Sequence, residues 1–130
     1  MPEQFDIAQY LNIRSATGPS FSPDGRFLSF LTNITGVAQL WQVPAAGGWP
    51  TQLTFTRESV RDAHYNLVRH EIVYSMDIGG NERTQLYHLR GVGGGTDYAI
   101  GEGWVSTDLS RHPEAIHSFG GWSHDGHQYA

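Results

Sequence analysis

The chain repeats itself, and that repeat limits its fold more than any other feature. FSPDGRFLSFLTN, ending at Asn33, aligns with YNLVRHEIVYSMD, ending at Asp77, so that Phe21 falls on Tyr65, Leu28 on Ile72 and Phe30 on Tyr74. Two extra residues then intervene, after which LWQV at 40 to 43 falls on LYHL at 86 to 89 and Gly47-Gly48 on Gly93-Gly94. A third copy opens at the end, where GWSHDGHQYA repeats SFSPDGRFLS with Trp122 on Phe21, Asp125 on Asp24 and Gly126 on Gly25. It stops after about one hairpin, and a fixed period of this kind is the mark of an architecture built from identical supersecondary units.

Each unit reads as four short strands. GPSF leads into Ser22-Pro23-Asp24-Gly25, FLSFLT and AQLWQV alternate large apolar residues with small or polar ones, and TQLTF closes the unit after AAGGWP. Ser, Pro, Asp and Gly are the types preferred at successive positions of a type I turn, because Pro presets φ and Gly ends the turn without steric cost. No αβ alternation separates the strands, so a parallel α/β sheet is disfavoured. The expected fold is all-β: a partial β-propeller of four-stranded antiparallel blades, two blades plus the start of a third.

The expected division is a helical lead-in over residues 1–14, a first blade over 15–57, a second over 58–103, and a linker with the first strands of an incomplete third blade over 104–130. The lead-in carries Phe5, Ala8 and Leu11 at helical spacing behind Pro2, which predicts a short N-terminal helix. Propellers close a ring of roughly four to eight blades. Leu28, Phe30, Trp41, Ile72, Tyr74 and Tyr87 therefore call for blades on both sides, and a longer natural product is expected.

Composition removes several classes of function. The net charge is −5 and all eight cations are arginines scattered singly, so no basic stripe is present for nucleic acid. There is no cysteine for a disulfide, a thiolate-bound metal or a thiol nucleophile. MPEQFDIAQYLNIRS lacks a basic leader before an apolar core, and no run of apolar residues is long enough to span a membrane. A soluble, cytoplasmic protein without membrane or nucleic-acid partners is the expectation. Asn33-Ile34-Thr35 matches the glycosylation sequon but has no secretion signal to support it.

The motifs that resemble chemistry are absorbed by the repeat. Gly121-Trp122-Ser123-His124-Asp125-Gly126 nearly spells a nucleophile elbow, but Asp125 stands where a small residue belongs and no helix pattern follows. Ser123 is the counterpart of Ser22 in a turn. His124 and His127, with His112 and His117 nearby, lack the further ligands of a metal site, and His124 takes the place of Pro23 as a turn residue facing solvent. His64, His70 and His88 read as polar strand or turn residues. GVGGGT at 91 to 96 lacks the Lys-Ser/Thr of a phosphate loop and reads as the connection between third and fourth strands. Asp62, Glu71, Asp77, Glu82, Asp97, Glu102 and Asp108 form no pair at a fixed spacing and read as solvated strand ends and loops. The SPDG turns lack the following aromatic of an Asp-box. No catalytic, cofactor-binding or metal-binding residue is therefore assigned.

SFSPDGRFLSFLTNITGVAQLWQVPAAGGWPTQLT resembles the propeller repeat of Tol-type proteins and of the N-terminal domains of the prolyl oligopeptidase family. FDIAQYLNIRSATGPSFSPDG, DIGGNERTQLYHL and HPEAIHSFGGWSHDG resemble the peptidases more closely, in particular their dipeptidyl aminopeptidase and acylaminoacyl-peptidase branch. The resemblance covers most of the chain. It implies a propeller that sits over a C-terminal α/β-hydrolase domain and restricts access to a Ser-Asp-His triad, admitting peptides. No position here matches the family's nucleophile, acid or histidine, so the triad is expected outside this chain. His124 in place of Pro, and YNLVRHE in place of the SPDG turn, depart from the repeat consensus. The alternative is a non-enzymatic Tol-type scaffold for protein–protein interaction.

Overall fold

A computed structural model describes residues 14–91 and 104–130. Among them are eight strands and no helix: β1 (Ala16–Phe21), β2 (Phe27–Thr32), β3 (Gln39–Pro44), β4 (Thr51–Gln52), β5 (Val60–Tyr65), β6 (Glu71–Met76), β7 (Gln85–Gly91) and β8 (Trp104–Asp108). They form two four-stranded antiparallel sheets, ordered β1-β2-β3-β4 and β5-β6-β7-β8. The predicted N-terminal helix and the aligned Gly93-Gly94 lie outside the described residues.

The two sheets repeat each other in the pairing of their two middle strands, while β8 pairs with β7 over a longer stretch than β4 does with β3. Phe30 pairs with Trp41 in the first as Tyr74 pairs with Tyr87 in the second, and both first strands carry a register shift near their start. Leu40 receives the Leu53 amide at 2.8 Å on its carbonyl and gives its own amide to Thr54 Oγ1 at 2.9 Å. Leu86 does the same with the Leu109 amide at 2.9 Å and Ser110 Oγ at 2.6 Å. The passage to the next unit also repeats: Val60 N donates to Ala38 O, and His117 N donates to Thr84 O, both at 2.8 Å. A third unit therefore starts at His117, and its Trp122–Tyr129 bridge reproduces the Phe21–Leu28 pair.

Buried glutamines fasten each unit. Gln39 Nε2 donates to the carbonyls of Thr56 and Glu58, and its Oε1 accepts from Thr54 Oγ1 and the Thr56 amide. Gln85, at the matching position, donates to the carbonyls of Arg83, Thr84 and Ala115. A buried amide side chain is tolerated only when its bonds are met, and here they hold the irregular segment that leaves the sheet.

Packing follows from alternation along the strands. Ala63, Tyr65, Ile72, Tyr74 and Leu89 project from one face of the second sheet and meet Leu31, Leu40 and Leu53 of the first in one core. Tyr74 and Tyr87 stack at 5.2 Å between centroids, and Tyr74 Oη bonds Ser106 Oγ at 2.7 Å. Burial pushes both phenols above their ordinary range, with the Ser106 contact opposing it at Tyr74. Removing a side chain as enclosed as Ile72 or Leu40, both fully buried, costs about 2–5 kcal/mol when truncated to Ala.

Two expectations need correction. The second sheet does not end at residue 103, because Trp104–Asp108 pairs with β7 as its fourth strand. Asp77 is not a solvated strand end: it is buried, accepts from Arg61 Nε at 2.6 Å and receives the Glu82 amide at 3.2 Å. The Arg61 hydrogen bond holds the Asp77 carboxyl below its usual range despite its burial.

Candidate functional site

The loops after the first strand of each unit stack on one another. In the first, Ser22 Oγ donates to Asp24 Oδ1 at 2.7 Å and accepts the Phe27 amide at 3.0 Å, while Asp24 Oδ1 takes the Arg26 amide at 3.0 Å. Gly25 closes the turn onto Ser22 O at 2.9 Å with φ at +69°, a left-handed value that glycine adopts without penalty. In the third, Ser123, Asp125, His127, Gln128 and Gly126 (φ +68°) make the same set of bonds. In the second, Asn66 replaces the serine and caps the loop itself, its Oδ1 accepting the amides of Val68 at 2.8 Å and Arg69 at 3.1 Å. Asn66 Nδ2 then reaches the next loop and donates to Gly126 O at 2.8 Å.

Beside the second junction lies a cleft of about 260 Å³ between the second sheet and the entry to the third unit, lined by Asp62, His64, Ser75, Thr84, His117 and Phe119 among others. His64 Nε2 lies 2.7 Å from Asp62 Oδ2, and its ring stacks on Phe119 at 5.0 Å between centroids. His117 occupies the position that Val60 fills in the preceding unit, and its buried Nδ1 has no hydrogen-bond partner among the described residues. Where the two preceding units place the apolar Ala16 and Val60, the third places an imidazole, and a local break of this kind is where binding chemistry is sought. Nothing in the sequence pointed to the pairing of His64 with Phe119, because it depends on how the third unit seats on the second.

Ser123 is held in its turn by Asp125, as Ser22 is by Asp24. His124 is exposed, His127 meets Arg69 of the preceding loop, and His112 is exposed on the segment leading to the third unit. His88 faces Glu71 at 3.3 Å and Trp122, and His70 faces Asp24 at 3.2 Å. Glu82 is exposed, and Asp108 Oδ1 accepts the Ser110 amide at 2.9 Å. Asp97, Glu102 and most of the GVGGGT run lie outside the described residues. No group of three His, Asp or Glu side chains among the described residues is placed to hold a metal ion.

No protein-family model matches this chain, and no curated protein matches it. The site is therefore read from its geometry. The Asp62–His64 pair can hold one imidazole tautomer and accept a proton, and Phe119 covers one face of that ring. Among the described residues Asp62 is the only hydrogen-bond partner of the His64 ring. The arrangement suits binding in a partly apolar cleft. No helix among the described residues is long and apolar enough to cross a membrane.

Proposed function

We propose that the chain is the non-catalytic, propeller-building part of a cytoplasmic serine peptidase of the prolyl oligopeptidase type. In this reading its blades restrict access of peptides to an α/β-hydrolase domain that carries the triad. The observation that supports the ring is a correspondence between two sheet faces. Leu28, Phe30, Trp41 and Val43 lie half-buried on the far side of the first sheet, and their repeat partners Ile72, Tyr74, Tyr87 and Leu89 are the face that the first sheet covers in the second. Trp41 Nε1 is buried without a hydrogen-bond partner among the described residues. A further blade seated on that face would bury it as the first sheet buries the second, and would place acceptors near the indole.

The peptidase assignment rests on the resemblance of the DIGGNERTQLYHL and HPEAIHSFGGWSHDG segments. Expression of the gene to its own stop codon, followed by labelling with a fluorophosphonate, tests it. The expected result is one labelled serine beyond Ala130, with hydrolysis of an acylated or N-terminally free peptide. Labelling of Ser123, or a reading frame that ends without further units and without a nucleophile elbow, would overturn it. A frame that continues in blades alone would replace the peptidase with the scaffold reading.

A further inference from the structure

Four strands border the two sheets, and three of them carry a feature that discourages further pairing. β4 is two residues long and follows Pro50. β1 is broken by a register shift between Thr17 and Ser20, where Gly18 has φ at +60° and Pro19 has no amide hydrogen. β5 has a shift between Val60 and Asp62 and exposes the charged Arg61 and Asp62. Brevity, bulges, proline and charge are the usual means by which a sheet edge avoids adding a strand. β8 has none of them over residues 105–107. It pairs with β7 without interruption from Trp104 to Asp108, its residues 105–108 are exposed, and no strand among the described residues lies on its other side.

Which backbone groups this edge offers follows from the ladder. The Leu109 amide donates to Leu86 O at 2.9 Å, so Leu109 turns its backbone groups toward β7. Successive residues of an antiparallel strand turn these groups to alternate sides. Thr107 and Val105 therefore face β7, while Ser106 and Asp108 face outward. Side chains alternate as well. Ser106 lies on the core face, where its hydroxyl bonds Tyr74 Oη at 2.7 Å, and Val105 and Thr107 lie on the opposite face beside Arg90 and His88.

We propose that β8 is a self-pairing edge, on which two copies of the chain join their second sheets antiparallel about a dyad at Ser106. Centred there, the two Ser106 residues exchange a pair of N–H···O=C bonds, and each Val105 lies opposite Thr107 of the other copy. Each Asp108 lies opposite Trp104. Cross-strand pairs of β-branched residues are favourable, and no like charges meet. Centring the pair on Asp108, the next outward residue, would instead set two carboxylates against each other. A contact of this symmetry closes on itself and stops at two copies. The first and second sheets meet face to face, so a further unit added in the same manner leaves the edge of β8 open. Five residues a side bury less than the roughly 1,200 Å² of a standard protein interface, so the association is weak and follows concentration.

Sedimentation velocity of the 130-residue chain, from low micromolar to near millimolar concentration, tests the pairing. Circular dichroism and a denaturant midpoint show whether each variant is folded. The wild type is expected to pass from monomer to dimer across that range. S106P removes the outward amide and leaves the bonds to β7 in place, a position at which an edge strand accepts proline, and it is expected to stay monomeric. V105E/T107E sets like charges opposite each other twice across the dyad and is expected to raise the dissociation constant by about tenfold. V105E/T107K sets unlike charges there and is expected to return it to the wild-type value or below. These two double variants change only exposed side chains, so they decide the matter should S106P not fold. A monomer at every concentration, or equal dissociation constants for the two double variants, would overturn the proposal.

Discussion

Asn66 and Gly126, from consecutive units, are fitted to each other in both directions. The Asn66 amide donates to the Gly126 carbonyl at 2.8 Å, and a Cβ on Gly126 would run into Asn66 Oδ1 and come within 3.1 Å of Val68 Cβ. Gly25 has the same backbone angle but nothing within 4 Å of the corresponding point. Gly126→Ala should therefore cost more than Gly25→Ala, although the strain of a positive φ is common to both. About 1 kcal/mol is expected at Gly25 and about 2–3 kcal/mol for local opening at Gly126. Urea unfolding of Gly25→Ala and exchange of the 123–128 amides in Gly126→Ala measure the two.

Ser22 and Ser123 make the same bonds, yet Ser22 is buried and Ser123 is not. Ser22→Ala should cost about 1–2 kcal/mol, since it leaves the Phe27 amide short of an acceptor in a dry environment. Ser123→Ala should cost clearly less, because water replaces the lost partner. Equal losses by denaturant titration would contradict the repeat-based account of how the third unit is seated.

Gln39 is 2% exposed and serves Thr54, Thr56 and Glu58 at once. Gln39→Leu preserves much of the volume but orphans several buried groups, so a loss of about 2–4 kcal/mol is expected by thermal or chemical unfolding.

Asp77 links stability to acidity. Its folded carboxyl is held below the ordinary value of 3.8, first by the Arg61 hydrogen bond. The contribution is therefore present above the unfolded value and lost as pH falls through the folded one. Asp77→Asn should flatten the acid limb of the stability curve below about pH 4 and leave its neutral part displaced by a constant. An acid limb of unchanged slope would show that the Arg61–Asp77 pair plays no part in it.

Phe30 and Tyr74 occupy the same repeat position on faces of different burial. Tyr74→Ser should unfold the core between the sheets, at about 3–5 kcal/mol. Phe30→Ser should cost less in the isolated chain and raise its solubility, as measured by static light scattering and denaturant midpoint.

The strands, the turn at Ser22 and the equivalence of Leu28 with Ile72 were legible in the sequence because alternation and turn chemistry are local. The end of the second sheet was not. Its last strand follows residues 92–103 and is fixed by pairing of Val105 with Arg90 and Thr107 with His88, which no local pattern announces. The burial of Asp77 was likewise hidden, since a lone carboxylate at a strand end is ordinarily wet and only the placement of Arg61 changes that. His117 in place of Val60 could be noticed only once the hydrogen bonds from Ala38 and Thr84 had set the two units in register.

The glutamine fastenings bear on how such a chain can grow. Among the described residues, every hydrogen-bond partner of the Gln39 side chain lies between Thr54 and Glu58, ahead of the strand that opens the following unit. A stretch of gene copied from one first strand to the next thus carries both halves of its own clasp, and tandem duplication or deletion of whole units leaves no buried amide abandoned at the joint.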